Sequence, residues 1–335
     1  MRKLLFIVVA LSWSAVMSAQ TFWLGADISG TTQEEAHGRQ FYNAAGQPRE
    51  NTALMRELGL NAVRLRVWVN PTDGFSGRDD VVLMARRACD WGMAVMIDFH
   101  YSDTWADPGQ QAIPAAWKEM GFEEMCKALA EHTESVLTAV KATGADVRWV
   151  QVGNETTNGF LWPMGRAKDN MKQYAGLTDA GYAAVKKVFP KAEVIVHLDG
   201  AYDPHRYDFI FDGLRKHGAR FDMIGMSVYP YWDMRGKHTS SWQETVTLAT
   251  ANMQRLWKKY GKPLMVVETG AEAQKPDEGK QIIAAVIDMA KNHSGGHCHG
   301  VFYWAPEAQK HYRLGAFQND RPTVIMDAFR EASEQ

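Results

Sequence analysis

Arg148-Trp149-Val150-Gln151-Val152-Gly153-Asn154-Glu155 is an apolar run that ends on a carboxylate. Its near-continuous apolarity suits a parallel strand covered on both faces. A second run, Leu264-Met265-Val266-Val267-Glu268, closes the same way. An ionised group at the end of a buried strand costs free energy when it leaves water, so two such groups ask for a reason other than stability. On strands that a closed barrel brings face to face, a glutamate pair points to chemistry on a glycosidic bond.

Working outward from these runs, strand-like and helix-like segments alternate eight times. The expected strands are Phe22–Ser29, Ala62–Val69, Ala94–His100, Arg148–Glu155, Glu193–Asp199, Met223–Tyr229, Pro263–Thr269 and Gly300–Pro306. Between them, Val81–Trp91, Met125–Ala142, Lys172–Val188 and Trp242–Tyr260 carry apolar residues at helical spacing. Gly92, Gly144 and Gly261 follow three of these stretches as stop signals. No linker, charge block or low-complexity tract interrupts the pattern. Eight strand–helix units in one domain, residues 20–335, predict an α/β protein of the (β/α)₈ TIM-barrel class.

The chain opens with Arg2 and Lys3, an apolar core from Leu4 to Leu11, and small residues from Ser14 to Ala19. This is the pattern of a secretory signal peptide over residues 1–19, and the run is too short to span a bilayer. An exported protein is expected, in the periplasm, at the cell surface or outside the cell, with no membrane association after cleavage and a monomer as the default state. Lys plus Arg total 37 against 39 Asp plus Glu, without a basic stripe, so nucleic acid is not an expected partner. Cys89, Cys126 and Cys298 match neither a disulfide framework nor a zinc signature. The first two read as small core residues. Cys298 between His297 and His299 has no further ligand group to join it, and neither metal nor cofactor is expected.

Active sites of such barrels sit at the C-terminal ends of the strands. Polar residues gather there: Asp27, Arg66, Asp98, His100, Asn154, Glu155, His197, Asp199, Tyr229 and Glu268. Aromatics crowd the same rim, with Trp68, Trp105, Trp162, Tyr231, Trp232 and Trp304 at strand ends or just beyond them. Flat sugar faces stack on such rings while polar groups set orientation. The balanced charge suits a neutral glycan better than a polyuronate.

These residues carry a family resemblance. Asn154-Glu155 ending one strand and Glu268 ending a later one resembles the retaining clan A glycoside hydrolases. More specifically, the chain is similar to the endo-β-1,4-galactanases of glycoside hydrolase family 53. The likeness runs through Gly25-Ala26-Asp27-Ile28-Ser29, Arg64-Leu65-Arg66-Val67-Trp68 and the distinctive block from Asp98 to Gln110. It continues through Gln151–Glu155, Ser227-Val228-Tyr229-Pro230 and Val267-Glu268-Thr269, in order along nearly the whole mature chain.

The resemblance implies a polysaccharide substrate, β-1,4-galactan or the arabinogalactan side chains of pectin. It implies Glu155 as acid/base and Glu268 as nucleophile, with carboxyls about 5–5.5 Å apart if configuration is retained. Arg66 and Tyr229 would hold Glu268, Asn154 would take the sugar 2-hydroxyl, and His100 and Trp304 would floor the central subsite. Trp105 and Asp103, from the third-strand block, join the expected binding shell. The stretch from Gly270 to Glu278 lacks the oxygen-ligand pattern of the calcium loop in some bacterial relatives, so structural calcium is not expected. The eighth strand ends Tyr303-Trp304-Ala305-Pro306 where many relatives have Trp-Glu-Pro, which leaves product length open. A β-mannanase or cellulase would share the two glutamates without needing the Asp98–Gln110 block. A metal-dependent barrel hydrolase would need converging ligands, for which only His100, His197 and Asp199 offer themselves. A non-catalytic glycan-binding barrel would need the aromatics but not the carboxylates.

Overall fold

The computed structural model describes residues 21–308 and 312–335. Residues 1–19, read as a signal peptide, lie outside the described residues. Eight parallel strands close a barrel: β1 (Trp23–Asp27), β2 (Ala62–Val67), β3 (Ala94–Phe99), β4 (Asp146–Val152), β5 (Glu193–Leu198), β6 (Met223–Val228), β7 (Leu264–Thr269) and β8 (Cys298–Trp304). Each strand pairs with its neighbours in chain order, and β1 pairs with both β2 and β8 to complete the ring. The (β/α)₈ expectation therefore holds. Observed strands fall inside the expected ones or shift by two residues, because hydrogen bonding stops where the chain turns toward the rim.

A helix follows each strand, and the longest of them match the periodic stretches in the sequence: Arg78–Asp90, Phe122–Lys141, Ala167–Val188 and Trp242–Tyr260. Their starts are marked by local chemistry. Asp203 accepts the His205 and Arg206 amides ahead of Pro204–Lys216, and Ser241 accepts the Glu244 amide. Gly92, Gly144 and Gly261 all take positive φ at helix ends, as stop signals require.

Two apolar regions result. The larger lies between the strands and the helix ring, where residues such as Leu65, Ile97, Leu129, Leu177 and Phe211 are fully buried or nearly so. The smaller fills the barrel interior with Ala62, Met96, Trp149, Ile195, Met223, Met265 and Phe302. Gly25 makes room there, since a Cβ on it would stand 2.3 Å from the Phe302 ring. Apolar side chains plug the lower barrel, and the upper barrel is left to polar ones. That division sets the depth of the site.

Candidate active site

Chain geometry at the end of β4 places the first glutamate. The strand stops at Val152, and Gly153 follows at φ +90°. A Cβ at Gly153 would come within 2.4 Å of the Thr156 methyl, so both torsion and space call for glycine. Glu155 itself takes φ +44°, a left-handed conformation that costs a non-glycine residue about 1–2 kcal/mol. The neighbouring strand holds the turn in place. The Glu155 amide donates to His197 Nδ1 at 3.3 Å, and the Thr156 amide donates to the His197 carbonyl at 2.8 Å. The second glutamate needs no such turn. Glu268 lies within β7, 5% exposed, with its Cα in register with Ser227 on β6.

Arg64 is the hub beneath them. Its guanidinium ion-pairs with Asp27 at 2.7 Å, Asp98 at 2.8 Å and Glu268 at 2.9 Å. It also donates to Gln151 Oε1 at 2.6 Å and to Asn154 Oδ1 at 2.8 Å. A planar fork with five donors can serve this many acceptors, and a lysine ammonium cannot. Although burial acts in the opposite direction, Arg64 and His100 draw the Asp98 carboxyl down to about 2.

This overturns one expectation. Arg66, expected to hold Glu268, instead donates to Ser76 Oγ at 2.9 Å. Its guanidinium lies 4.5 Å from the centre of the Trp68 ring and 4.0 Å from that of Trp105. Both arginines project from the same face of β2. Arg64 is level with Asp27 in the β1 register, under the glutamates, while Arg66 sits one step further along at the rim. The other expected partner is in place: the Tyr229 hydroxyl donates to Glu268 Oε2 at 3.1 Å.

Glu155 has different neighbours. The Ser227 hydroxyl donates to its Oε1 at 2.6 Å, and His197 Nε2 lies 2.8 Å from the same hydroxyl. His197 Nδ1 sits between the Glu155 amide at 3.3 Å and Asn154 Oδ1 at 3.1 Å, so one ring ties the turn after β4 to Ser227 on β6. Burial, with Arg64 nearby, holds the His197 pKa well below its usual range, so the ring stays neutral.

The two carboxyls are pushed up by unequal amounts. Burial raises Glu155 well above the ordinary range, helped by the charges of Glu268 and Asp199 and opposed by Ser227 and Arg64. Burial also raises Glu268, to about 7, but Arg64 opposes it strongly and Tyr229 adds to the opposition. A single proton shared by the pair therefore resides on Glu155, and Glu268 ionises first.

Both carboxyls line a cleft of about 530 Å³. His100, Trp105, Asn154, Tyr229, Trp232 and Trp304 line it too, with Asp199, Ser227, Asp233 and Tyr312. His100 is fixed by Asp98 at 3.0 Å on Nε2 and by the Ala106 amide at 3.1 Å on Nδ1. Trp304 packs edge-on against Tyr312 with centroids 4.5 Å apart and lies 5.8 Å from Trp105. Asn154 spends its Oδ1 on Arg64 and donates to the Ala106 carbonyl at 2.8 Å, so it faces the cleft already braced.

Asp103 is not part of the cleft wall. It accepts the Asn70 amide at 3.0 Å and the Ala115 amide at 2.8 Å, tying together the loops after β2 and β3. Trp162 and Tyr231 also lie off this wall. Trp162 donates to the Asn158 carbonyl, and the Tyr231 hydroxyl receives Arg235 and Arg313. Among the described residues no group of three or more His, Cys, Asp or Glu is arranged to hold a metal. His297 stacks on Trp257 at 3.7 Å while Cys298 is buried in β8, so these neighbours do not converge.

With this geometry in view, comparison with known proteins is decisive. The glycosyl hydrolase family 53 model matches residues 23–323. The chain belongs to that family. It is 32% identical over 314 residues to an endo-β-1,4-galactanase of Bacillus subtilis, covering 85% of this chain and 70% of that one. A probable arabinogalactan endo-β-1,4-galactanase A of Neosartorya fischeri is 31% identical over 326 residues, covering 90% and 88%. A solved fungal β-1,4-galactanase superposes with a TM-score of 0.84 at 28% identity, covering 93% of this chain and 99% of that one. An exo-β-1,4-mannosidase of an Opitutaceae bacterium shares the fold at 15% identity and a TM-score of 0.69, covering 94% and 59%.

Arg64, Ser227, Tyr312 and Asp233 escaped the sequence reading as site residues. Arg64 had a usable signal, because an arginine inside an otherwise apolar buried strand needs several carboxylates to hold it. Ser227 could be found only through its β6–β7 register, and Tyr312 lies in a loop without periodicity.

Proposed function

We propose that this chain is an exported, retaining endo-β-1,4-galactanase acting on galactan or arabinogalactan, with Glu155 as acid/base and Glu268 as nucleophile. The observation that carries the reading is the unequal pair of carboxyls in one aromatic-lined cleft. Arg64 and Tyr229 favour the ionised form of Glu268, so it loses its proton before Glu155 does, and Glu155 retains its proton at the pH where Glu268 has lost one.

The roles follow from that inequality. The Glu155 carboxyl gives its proton to the glycosidic oxygen as the bond to the anomeric carbon breaks. Glu268 attacks that carbon and forms a glycosyl ester. Glu155, now a carboxylate, takes a proton from water, and the resulting hydroxide oxygen displaces Glu268. Two inversions at one carbon restore the β configuration. Ser227 supports the ionised form of Glu155 during the second half, and Arg64 stabilises Glu268 as a leaving carboxylate. Trp304 and Trp105 offer ring faces to the sugar, His100 lends its fixed ring to the cleft wall, and Asn154, with one amide hydrogen spent on Ala106, is braced to meet a hydroxyl with the other. Family membership and the named galactanases among its relatives support the substrate, and the residue pattern of 1–19 supports export. No helix among the described residues is long and apolar enough to cross a membrane.

The test is reducing-sugar release by the mature chain on β-1,4-galactan, with β-mannan, xylan and carboxymethylcellulose alongside and the Glu268→Ala variant as control. Selective release from galactan, lost in the variant, with β-configured product seen first by NMR, is the expected result. Release from another glycan overturns the substrate, and α-configured first product overturns the retaining assignment.

A further inference from the structure

The cleft does not end at Asp199. Asp199 and Pro108, both in its wall, also border a second basin of about 240 Å³, which Thr157, Asn158, Arg206 and Phe209 complete. Phe209 is half exposed, as are Trp105 and Trp232 in the neighbouring cleft, and with 50% of its surface in solvent its ring face is open to a ligand. It stands on the helix Pro204–Lys216, whose N-terminal end Asp203 caps at the barrel rim. Beside it the polar groups are held firmly. Arg206 ion-pairs with Asp199 at 2.5 Å, Thr157 hydrogen-bonds Asp199, and Asn158 donates to the Pro108 carbonyl at 2.9 Å. An aromatic face flanked by fixed donors and acceptors is the arrangement that takes a neutral sugar ring.

The placement also assigns a side. An acid/base acts on the oxygen of the leaving group, so the leaving sugar lies next to Glu155. Thr157 and Asn158 lie two and three residues after Glu155 in the chain, and the Asp199 charge bears on Glu155. Glu268 instead feels Asp98 and Asp27, the two carboxylates paired with Arg64 beneath the cleft. Resting on the galactanase reading above, we propose that the Phe209 basin is an outer leaving-side subsite: it receives the second sugar beyond the cleaved bond, with Phe209 as its stacking platform and Arg206 and Asn158 meeting its hydroxyls. The basin makes the enzyme favour bonds with at least two galactosyl units still attached on that side, which directs cleavage into the polymer and away from its reducing end.

The experiment measures the ratio of kcat/KM on β-1,4-galactohexaose to that on nitrophenyl β-1,4-galactobioside, whose leaving group stops short of the basin. Phe209→Ala should lower this ratio about fivefold, the value of one aromatic–sugar stack at a half-exposed site. Phe209→Trp should restore it. The ring is exposed, so neither variant threatens the fold, and a thermal melt checks this. A ratio within twofold of wild type in Phe209→Ala, or equal loss on both substrates, overturns the subsite. A wild-type chain that cleaves neither substrate refutes the galactanase reading itself and takes the subsite with it.

Discussion

Replacing Glu268, the proposed nucleophile, should make the protein more stable, by an amount that depends on pH. Glu268 is 5% exposed and its carboxyl sits at about 7 in place of the ordinary 4.5, because burial outweighs the help of Arg64 and Tyr229. A folded-state pKa raised above the unfolded one means that the native state prefers the protonated form. Below about 4.5 the group is protonated in both states and its ionisation costs nothing. Between 4.5 and 7 the unfolded chain ionises first, and stability falls as pH rises. Above 7 the full cost is present, about 3 kcal/mol for a difference of this size. Glutamine has the same shape and carries no charge. Its Oε1 can still accept from Arg64, and its amide can donate to the Tyr229 hydroxyl. Glu268→Gln should therefore match wild type near pH 4 and exceed it by about 3 kcal/mol near pH 8, while abolishing turnover. Urea unfolding of both proteins at the two pH values reads the difference. The Glu268 charge also bears on Glu155, and relief of that repulsion adds to the same sign. A gain that is equal at pH 4 and pH 8, or absent at both, would show that Arg64 compensates the buried charge in full.

Arg64→Met leaves Asp27, Asp98 and Glu268 without their shared cation, and should cost about 3–5 kcal/mol of stability with loss of activity, measured by denaturation and initial rates. Arg66→Met should behave differently, raising KM several-fold through the loosened Trp105 platform while kcat stays within threefold, a split that steady-state kinetics resolves. Ser227→Ala removes a donor that favours ionised Glu155, so the alkaline limb of the kcat/KM profile should move up by about one pH unit; an unmoved limb would take Ser227 out of the acid's surroundings. Glu155→Ala should lose most activity yet recover part of it with azide, giving a β-configured glycosyl azide, and an α-configured azide would exchange the roles of the two glutamates.

The barrel was legible because parallel strands buried on both faces leave long apolar runs, and eight of these separated by helical periods admit few other folds. The two glutamate carboxyls of the cleft were legible for a related reason. Carboxylates at the ends of such runs stand out against the apolarity of the strand. What could not be read was how high along the barrel axis each polar group sits. Arg64 and Arg66 are two residues apart on β2 and share a face, so alternation places both inward and does not say which one meets Glu268. The answer comes from the register with β1, which sets Arg64 level with Asp27, and from side chains that fill the barrel below. A guanidinium at the level of Arg64 is sealed under the cleft and can be shared among three carboxylates. One step higher it reaches Trp68 and Trp105 instead, and braces those two rings. Asp103 shows the same gap from the loop side: its neighbours in the Asp98–Gln110 block shape the cleft, but its own oxygens are taken by two backbone amides. The kind of chemistry is written in residue types along single strands, whereas the assignment of roles is written in the stagger between strands. That stagger is a property of the closed barrel and is not contained in any one segment.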